Sequence, residues 1–241
     1  MLESWREKPK SIRRTLRLFS YKFTYDFLLK KVVLKNVDLI LPISNRMADQ
    51  LEKAGLNRKK MFSLPLGVSS DLFKPTGINV RQLLFLSDDD FIFIYVGSIS
   101  KIRGLNVIIK AFKDVVRFEK RAKLLFIGDG DDLNNLKKYV EDNNLQSNIL
   151  FTGRVSYFDV PRYIFASDVG LSIIKPLPCY YVSSPCKLFE YMIMRKPVIA
   201  NKEIPEHFEV INASKCGILV RYDEKDLANV MKNIIKLKKK S

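Results

Sequence analysis

Six short apolar runs recur from residue 91 onward: FIFIYVG at 91–97, KLLFIG at 123–128, NILFTG at 148–153, DVGLSII at 168–174, PVIA at 197–200 and GILV at 217–220. Each is nearly continuous in apolar character and rich in Ile, Val or Phe. That is the pattern of strands covered on both faces, and hence of a parallel sheet. Helical periods lie between them. Leu105, Ile108, Ile109, Phe112, Val115 and Val116 share one helix face, as do Leu133, Leu136 and Val140. Ser156 with Asp159 predicts an N-terminal capping pair, and Asp223 a cap for a last helix with Leu227, Val230, Met231 and Ile234 inward. Strand and helix alternating at this spacing predict an α/β fold, a Rossmann-like doubly wound parallel sheet with right-handed crossovers. This domain is assigned to 77–241.

The chain before it follows another plan. Residues 1–36 are expected to form a basic amphipathic helix, with Ile12, Leu16, Phe19, Phe23, Phe27 and Leu34 on one face and Arg13, Arg14, Arg17, Lys31 and Lys35 opposite. VDLILPIS (37–44) predicts a strand, 45–54 a helix and KMFSLPLG (60–67) a second strand. Two strands and one helix cannot cover their own apolar faces. Residues 37–76 are therefore expected to be the βαβ remnant of an N-terminal α/β domain, with a linker. A chain of 241 residues is too short for two full domains of this class.

The net charge of +16 predicts anionic partners, but its placement matters. Residues 1–36 carry +7, residues 232–240 carry +5, and the body between is only +4. A nucleic-acid-binding body would carry the basic surface itself, so nucleic acid is not expected as a partner. One His and three Cys (Cys179, Cys186, Cys216) make neither a Cys/His metal site nor a disulfide framework, and a cytoplasmic setting is expected. The N-terminus lacks the apolar core of a signal peptide, and no apolar run approaches the ~18 residues of a membrane span.

In an open α/β sheet, ligands bind beyond the carboxyl ends of the strands. GSISKIRG (97–104) offers Gly97, Ser98 and the basic residues Lys101 and Arg103 at a helix entrance, where an anion is favoured; a tight turn with solvated cations explains it equally. GDGDD (128–132) contains Asp129 and Asp131. A metal-bound diphosphate competes there with two plainer roles, close backbone approach at Gly128 and Gly130 and acids suited to a helix start. SSPCKLFEYM is the most specific segment. Pro185 opens a helix, Lys187 sits in the first turn against the dipole, and Glu190 lies three residues on, pointing the same way. Lysine for phosphate and carboxylate for ribose would account for the pair, and so would an i, i+3 ion pair. His207 alone reads as a packing residue.

Taken in order, these segments resemble the retaining GT-B glycosyltransferases of the group 1, or GT4, type. VDLILPISNRMADQLEKAG is similar to the closing strand and helix of the acceptor domain, and KKMFSLPLGVSSDLFKP to the interdomain stretch. YVGSISKIRGLNVIIKAF is similar to the first donor-domain strand, basic loop and helix, and LLFIGDGDDLNNL to the following glycine turn. ILFTGRVSYFDVPRYIFASDVGLSI is similar to the base-binding strand, and SPCKLFEYMIMRKPVIANKEIPEHFEVI to the Glu-bearing helix.

The resemblance implies a GT-B donor domain and transfer of a sugar, with retention, from a nucleotide-diphosphate sugar to a glycan or lipid-linked acceptor, without metal or cofactor. It gives Arg103 the diphosphate position and Glu190 the donor ribose. Lys187 and Leu188 fall where the helix start faces the phosphates, and Arg154 and Val155 where the backbone meets the base. Gly97, Ser98, Gly128, Asp129 and Pro185 complete the expected donor site, with Arg103, Lys187 and Glu190 as its catalytic set. Two positions depart from the pattern: Val182 stands where an earlier Glu is usual, and Ser98 where an Arg is usual. An anionic membrane surface, met as a peripheral protein on the inner face, and a separate acceptor-domain chain are further expected partners. The competing expectation is a non-catalytic nucleotide-sugar-binding subunit or fragment.

Overall fold

A computed structural model describes residues 36–74 and 79–238. The basic helix expected over 1–36 lies outside the described residues, save for Asn36. The chain divides into two compact units, one comprising Met1–Leu66 with Leu177–Ser184, the other Gly67–Pro176 with Pro185–Ser241.

In the first unit, helix α1 (Asn45–Lys53) opens at Ser44, whose hydroxyl oxygen accepts from the Met47 N–H at 3.1 Å. It stops at Gly55, which takes the left-handed conformation (φ 93°) that a helix terminus favours. The two strands predicted around it shrink to one parallel bridge between Ile40 and Met61. Pro42 and Pro65 have no N–H to extend a ladder, and Leu39, Leu41, Phe62 and Leu64 remain exposed, so little burial rewards further pairing.

The second unit is a six-stranded, wholly parallel sheet. Its strands are β1 (Phe91–Val96), β2 (Ala122–Ile127), β3 (Ile149–Gly153), β4 (Val169–Ser172), β5 (Val198–Asn201) and β6 (Gly217–Val220), in the order β3-β2-β1-β4-β5-β6. The apolar runs are continuous because both faces are covered. Phe91, Phe93, Tyr95, Leu124, Phe126, Val169 and Leu171 point to one core, shared with helices α3 (Asn106–Phe118), α4 (Leu133–Asp142) and α8 (Glu224–Lys238). Ile92, Ile94, Leu125, Ile127, Val198 and Ala200 point to the other, shared with α5 (Val160–Ala166), α6 (Cys186–Ile193) and α7 (Pro205–Ser214). A short helix α2 (Val80–Leu83) precedes β1.

The predicted stripe of α3 is buried at every position, and Asp223 caps α8 by accepting from the Lys225 and Asp226 N–H groups at 3.0 and 2.9 Å. The Ser156/Asp159 pair resolves differently. Asp159 is the N-cap of α5, while the Ser156 carbonyl closes the turn before it by accepting from the Asp159 and Val160 N–H groups. The strand order reverses between β1 and β4, and beyond their carboxyl ends lies the crevice that doubly wound sheets use for ligands.

Candidate functional site

The loops after β1 and β2 are interlocked through their backbones. The Gly97 N–H donates to the Ile127 carbonyl at 2.9 Å, Ile99 N–H to the Asp129 carbonyl at 2.9 Å, and Asp132 N–H back to the Ile99 carbonyl at 3.0 Å. Gly128 (φ 141°) has no alternative. A Cβ there would stand 2.0 Å from the Gly97 carbonyl oxygen. The aspartates serve the same junction. Asp131 accepts from the Lys101 N–H at 3.0 Å, and Asp129 from the Gly130 N–H at 2.7 Å. Among the described residues no group of three or more His, Cys, Asp or Glu side chains is placed to hold a metal.

The interlock sets out the basic turn. Ser98 is exposed and Ile99 buried, and Lys101–Arg103 form a single 3-10 turn rather than the helix entrance itself. Gly104 closes that turn in the left-handed region (φ 63°), and α3 begins after it.

Lys187 comes from the opposite side of the crevice. Pro185 caps α6, so Lys187 lies in its first turn. Its Nζ sits 4.2 Å from the centroid of the Tyr95 ring. The same nitrogen lies 3.1 Å from where a Gly97 side chain would begin, so the glycine leaves the space that the ammonium uses. Burial, reinforced by the Arg103 guanidinium, brings Lys187 down to a pKa of about 7, against the opposing influence of Glu190 and Cys186. Burial likewise pushes Tyr95 up to about 12, and its hydroxyl donates to the Ser98 carbonyl at 3.2 Å. Two cations that act on each other electrostatically, one of them desolvated, make a site suited to an anion.

Glu190 stands one turn further along α6 and is buried. Burial raises its pKa, while Lys187 and a hydrogen bond from the Tyr157 hydroxyl lower it. Tyr157 lies on the loop after β3, with its ring edge-on to Phe73 at 5.6 Å. A carboxylate fixed in this way is an acceptor for vicinal hydroxyls.

Gly97, Ser98, Arg103, Gly128, Asp129, Lys187 and Glu190 thus belong to one set of interlocked loops and one helix end. Three expected residues contribute differently. Leu188 is fully buried in the second core, and its N–H donates to the Pro185 carbonyl at 3.0 Å, so it supports the helix start from beneath. Val155 packs against that same core, and Arg154 is exposed on the loop after Gly153. Val182 belongs to the Leu177–Ser184 segment, where its carbonyl accepts from the Ser44 hydroxyl at 2.9 Å. Tyr95 and Tyr157 escaped sequence reasoning. Tyr95 alternates with Phe91 and Phe93 as a core residue, and only its hydroxyl set it apart. Tyr157 had one signal, an aromatic just after a strand-ending glycine turn.

The profile described as "Glycosyl transferases group 1" matches residues 79–241. The chain belongs to this family. Among curated relatives of the group 1 glycosyltransferases it is 26% identical over 186 residues to alpha-D-kanosaminyltransferase of Streptomyces kanamyceticus, covering 75% of this chain and 46% of that one. It is 27% identical over 145 residues to alpha-monoglucosyldiacylglycerol synthase of Streptococcus pneumoniae, covering 58% and 33%. The chain therefore spans less than half the length of either relative. Its fold matches Anabaena HepE, solved in complex with UDP and glucose, at a TM-score of 0.75 and 18% identity, over 90% of this chain and 59% of that one. The doubly wound sheet is thus the Rossmann-like domain of a group 1 glycosyltransferase.

Proposed function

We propose that the second unit is the donor-binding half of a glycosyltransferase that moves a sugar, with retention, from a nucleoside-diphosphate sugar to a glycan or lipid-linked acceptor. The observation that carries this is the convergence of Arg103 and Lys187 at the strand-order reversal, with Glu190 one turn beyond. Arg103 and Lys187 engage the diphosphate, Glu190 takes the ribose hydroxyls, and the backbone after β3, at Arg154 and Val155, borders the base. As the bond between the anomeric carbon and the diphosphate oxygen breaks, negative charge grows on the leaving group. The two cations stabilise it there, an electrostatic contribution worth several kcal/mol in comparable transfers (~3–4 kcal/mol for one well-placed donor). The acceptor hydroxyl oxygen forms the new bond to the anomeric carbon, and its proton passes to an oxygen of the departing diphosphate.

HepE was solved with UDP and glucose, which supports a nucleotide-sugar donor here. A relative named alpha-monoglucosyldiacylglycerol synthase supports a lipid-linked acceptor, and the +7 of residues 1–36 supports peripheral contact with an anionic, cytoplasm-facing membrane surface. The test is turnover of a panel of radiolabelled UDP-, GDP-, ADP- and TDP-sugars with glycan and diacylglycerol acceptors. Transfer abolished by Arg103→Ala supports the reading. Nucleotide-sugar binding without transfer to any acceptor, with transfer restored by a separately expressed acceptor domain, would instead favour the reading as a binding subunit.

A further inference from the structure

Tyr222 lies outside every motif considered above. It follows β6, and its hydroxyl donates to the Gly104 carbonyl at 2.5 Å. Gly104 is the residue that closes the Lys101–Arg103 turn, and a Cβ on it would stand 2.3 Å from that hydroxyl and 3.1 Å from Lys175 Cδ. Tyr222 is braced from behind. The Glu203 carboxylate accepts from its N–H at 3.1 and 3.2 Å, and Asn201 Nδ2 donates to Glu203 at 3.0 Å. Asn201 Oδ1 accepts from the Ile174 N–H at 2.8 Å. The Asn201 carbonyl lies 3.1 Å from His207 Nδ1, and His207 Nε2 lies 2.8 Å from Ser172 Oγ.

Proton placement in this chain is determined. A carbonyl only accepts, so His207 Nδ1 carries the hydrogen and Nε2 accepts from the Ser172 hydroxyl. Burial keeps the ring neutral. Ser172, Asn201 and His207 are fully buried, so the polar groups of these three depend on their neighbours, while Glu203 and Tyr222 are partly buried. The network joins the carboxyl ends of β4, β5 and β6 and delivers one hydrogen bond to the turn after β1.

We propose that Tyr222 is a positioning residue, whose hydroxyl, braced by Glu203, Asn201 and His207, holds the Lys101–Gly104 turn so that Arg103 faces the diphosphate position beside Lys187. The proposal rests on the reading of Arg103 as a diphosphate ligand. It extends the site to a residue just beyond the far strand of the sheet.

Calorimetry on the full chain with UDP, GDP, ADP and TDP selects the nucleotide that binds, and the matching nucleoside is the control. Tyr222→Phe is expected to weaken the diphosphate about threefold to tenfold, the range of one hydrogen bond, and to leave the nucleoside unchanged. In an Arg103→Ala background it is expected to add nothing. Equal loss for nucleoside and diphosphate, or wild-type affinity for both, overturns the proposal. Should Tyr222→Phe fail to fold, Glu203→Gln keeps the hydroxyl but weakens its brace, and the same diphosphate-only loss is expected at about twofold; parallel loss of the nucleoside overturns the proposal. Diphosphate binding lost in Arg103→Ala but intact in both other variants overturns this inference alone. No binding by the wild type overturns the donor-site reading with it.

Discussion

Lys187 Nζ lies 4.2 Å from the centre of the Tyr95 ring and occupies the space in front of Gly97. One residue comes from a helix start, the other from the central strand, and the glycine between them lets the ammonium sit at the crevice floor. Gly97→Ala would place a methyl group 3.1 Å from that nitrogen, at a φ of 141° that suits glycine alone. Displacing the flexible lysine tip is expected to lower nucleoside-diphosphate affinity about tenfold, in the range of one charge-assisted hydrogen bond. In a Lys187→Ala background the substitution should add little further loss, a coupling that a double-mutant cycle by calorimetry checks.

The same lysine makes binding pH-dependent. With a pKa of about 7 in the free protein, it is largely cationic at pH 6 and largely neutral at pH 8. The diphosphate favours the charged form, so affinity falls as pH rises through about 7, by at most about tenfold per pH unit. Titrations from pH 6 to pH 9 should show the fall in the wild type, and Lys187→Met should flatten it.

Glu190 and Tyr157 give a second handle. Removing the Tyr157 hydroxyl takes away a hydrogen bond that lowers the Glu190 pKa, so Tyr157→Phe should raise it further. The acid limb of nucleotide binding then moves to higher pH. The variant should weaken a ribonucleoside diphosphate by about threefold to tenfold, yet have little effect on a form lacking the ribose hydroxyls.

His207 supplies a stability signature. Burial lowers its pKa from 6.5 to about 4, so the unfolded chain binds the proton more tightly than the folded one. The contribution is fully present above about pH 6.5 and is lost progressively as the pH falls toward 4, about 1.4 kcal/mol per unit across that window. Denaturant melts at pH 7.5 and pH 5 should show this loss, and a His207→Asn variant, less stable throughout, should lack that portion of the slope.

At the opposite end of the sheet, Arg81 meets Asp168 at 3.2 Å, both side chains only 16% exposed. Its Nε also donates to the Ala166 carbonyl at 3.0 Å and its Nη1 to the Asp90 carbonyl at 3.0 Å. Arg81→Ala would take this donor from the Ala166 and Asp90 carbonyls, while Asp168 keeps the Ile92 N–H at 2.8 Å and the Lys238 ammonium, and the substitution is expected to cost about 1–3 kcal/mol by urea denaturation. Because the staple lies at the amino ends of β1 and β4, nucleotide affinity of the folded variant should stay near wild type.

Much of this arrangement was legible in the sequence, for a physical reason. Strands buried on both faces and helices with one apolar stripe advertise their period, so β1 to β6 and the inward positions of α3 follow from residues 91–235 alone. The place of Lys187 in a first helical turn was legible, and a cation there, against the dipole, is what singled it out as a candidate. Tyr95 and Tyr222 were not, because a buried tyrosine announces only its ring. Which carbonyl its hydroxyl meets is set by segments distant in sequence, such as the Tyr222–Gly104 contact between the loop after β6 and the loop after β1. The strands expected at 37–44 and 60–67 failed for the converse reason. Their composition favours extension, yet burial and pairing decide whether a ladder forms.

The most direct measurement is calorimetric titration of the full chain with nucleoside diphosphates, comparing wild type with Arg103→Ala and Glu190→Ala. Saturable one-site binding by the wild type, weakened about tenfold or more in each variant, is the predicted result. Wild-type affinity retained in both variants would contradict the assignment of the crevice between β1 and β4 as the donor site.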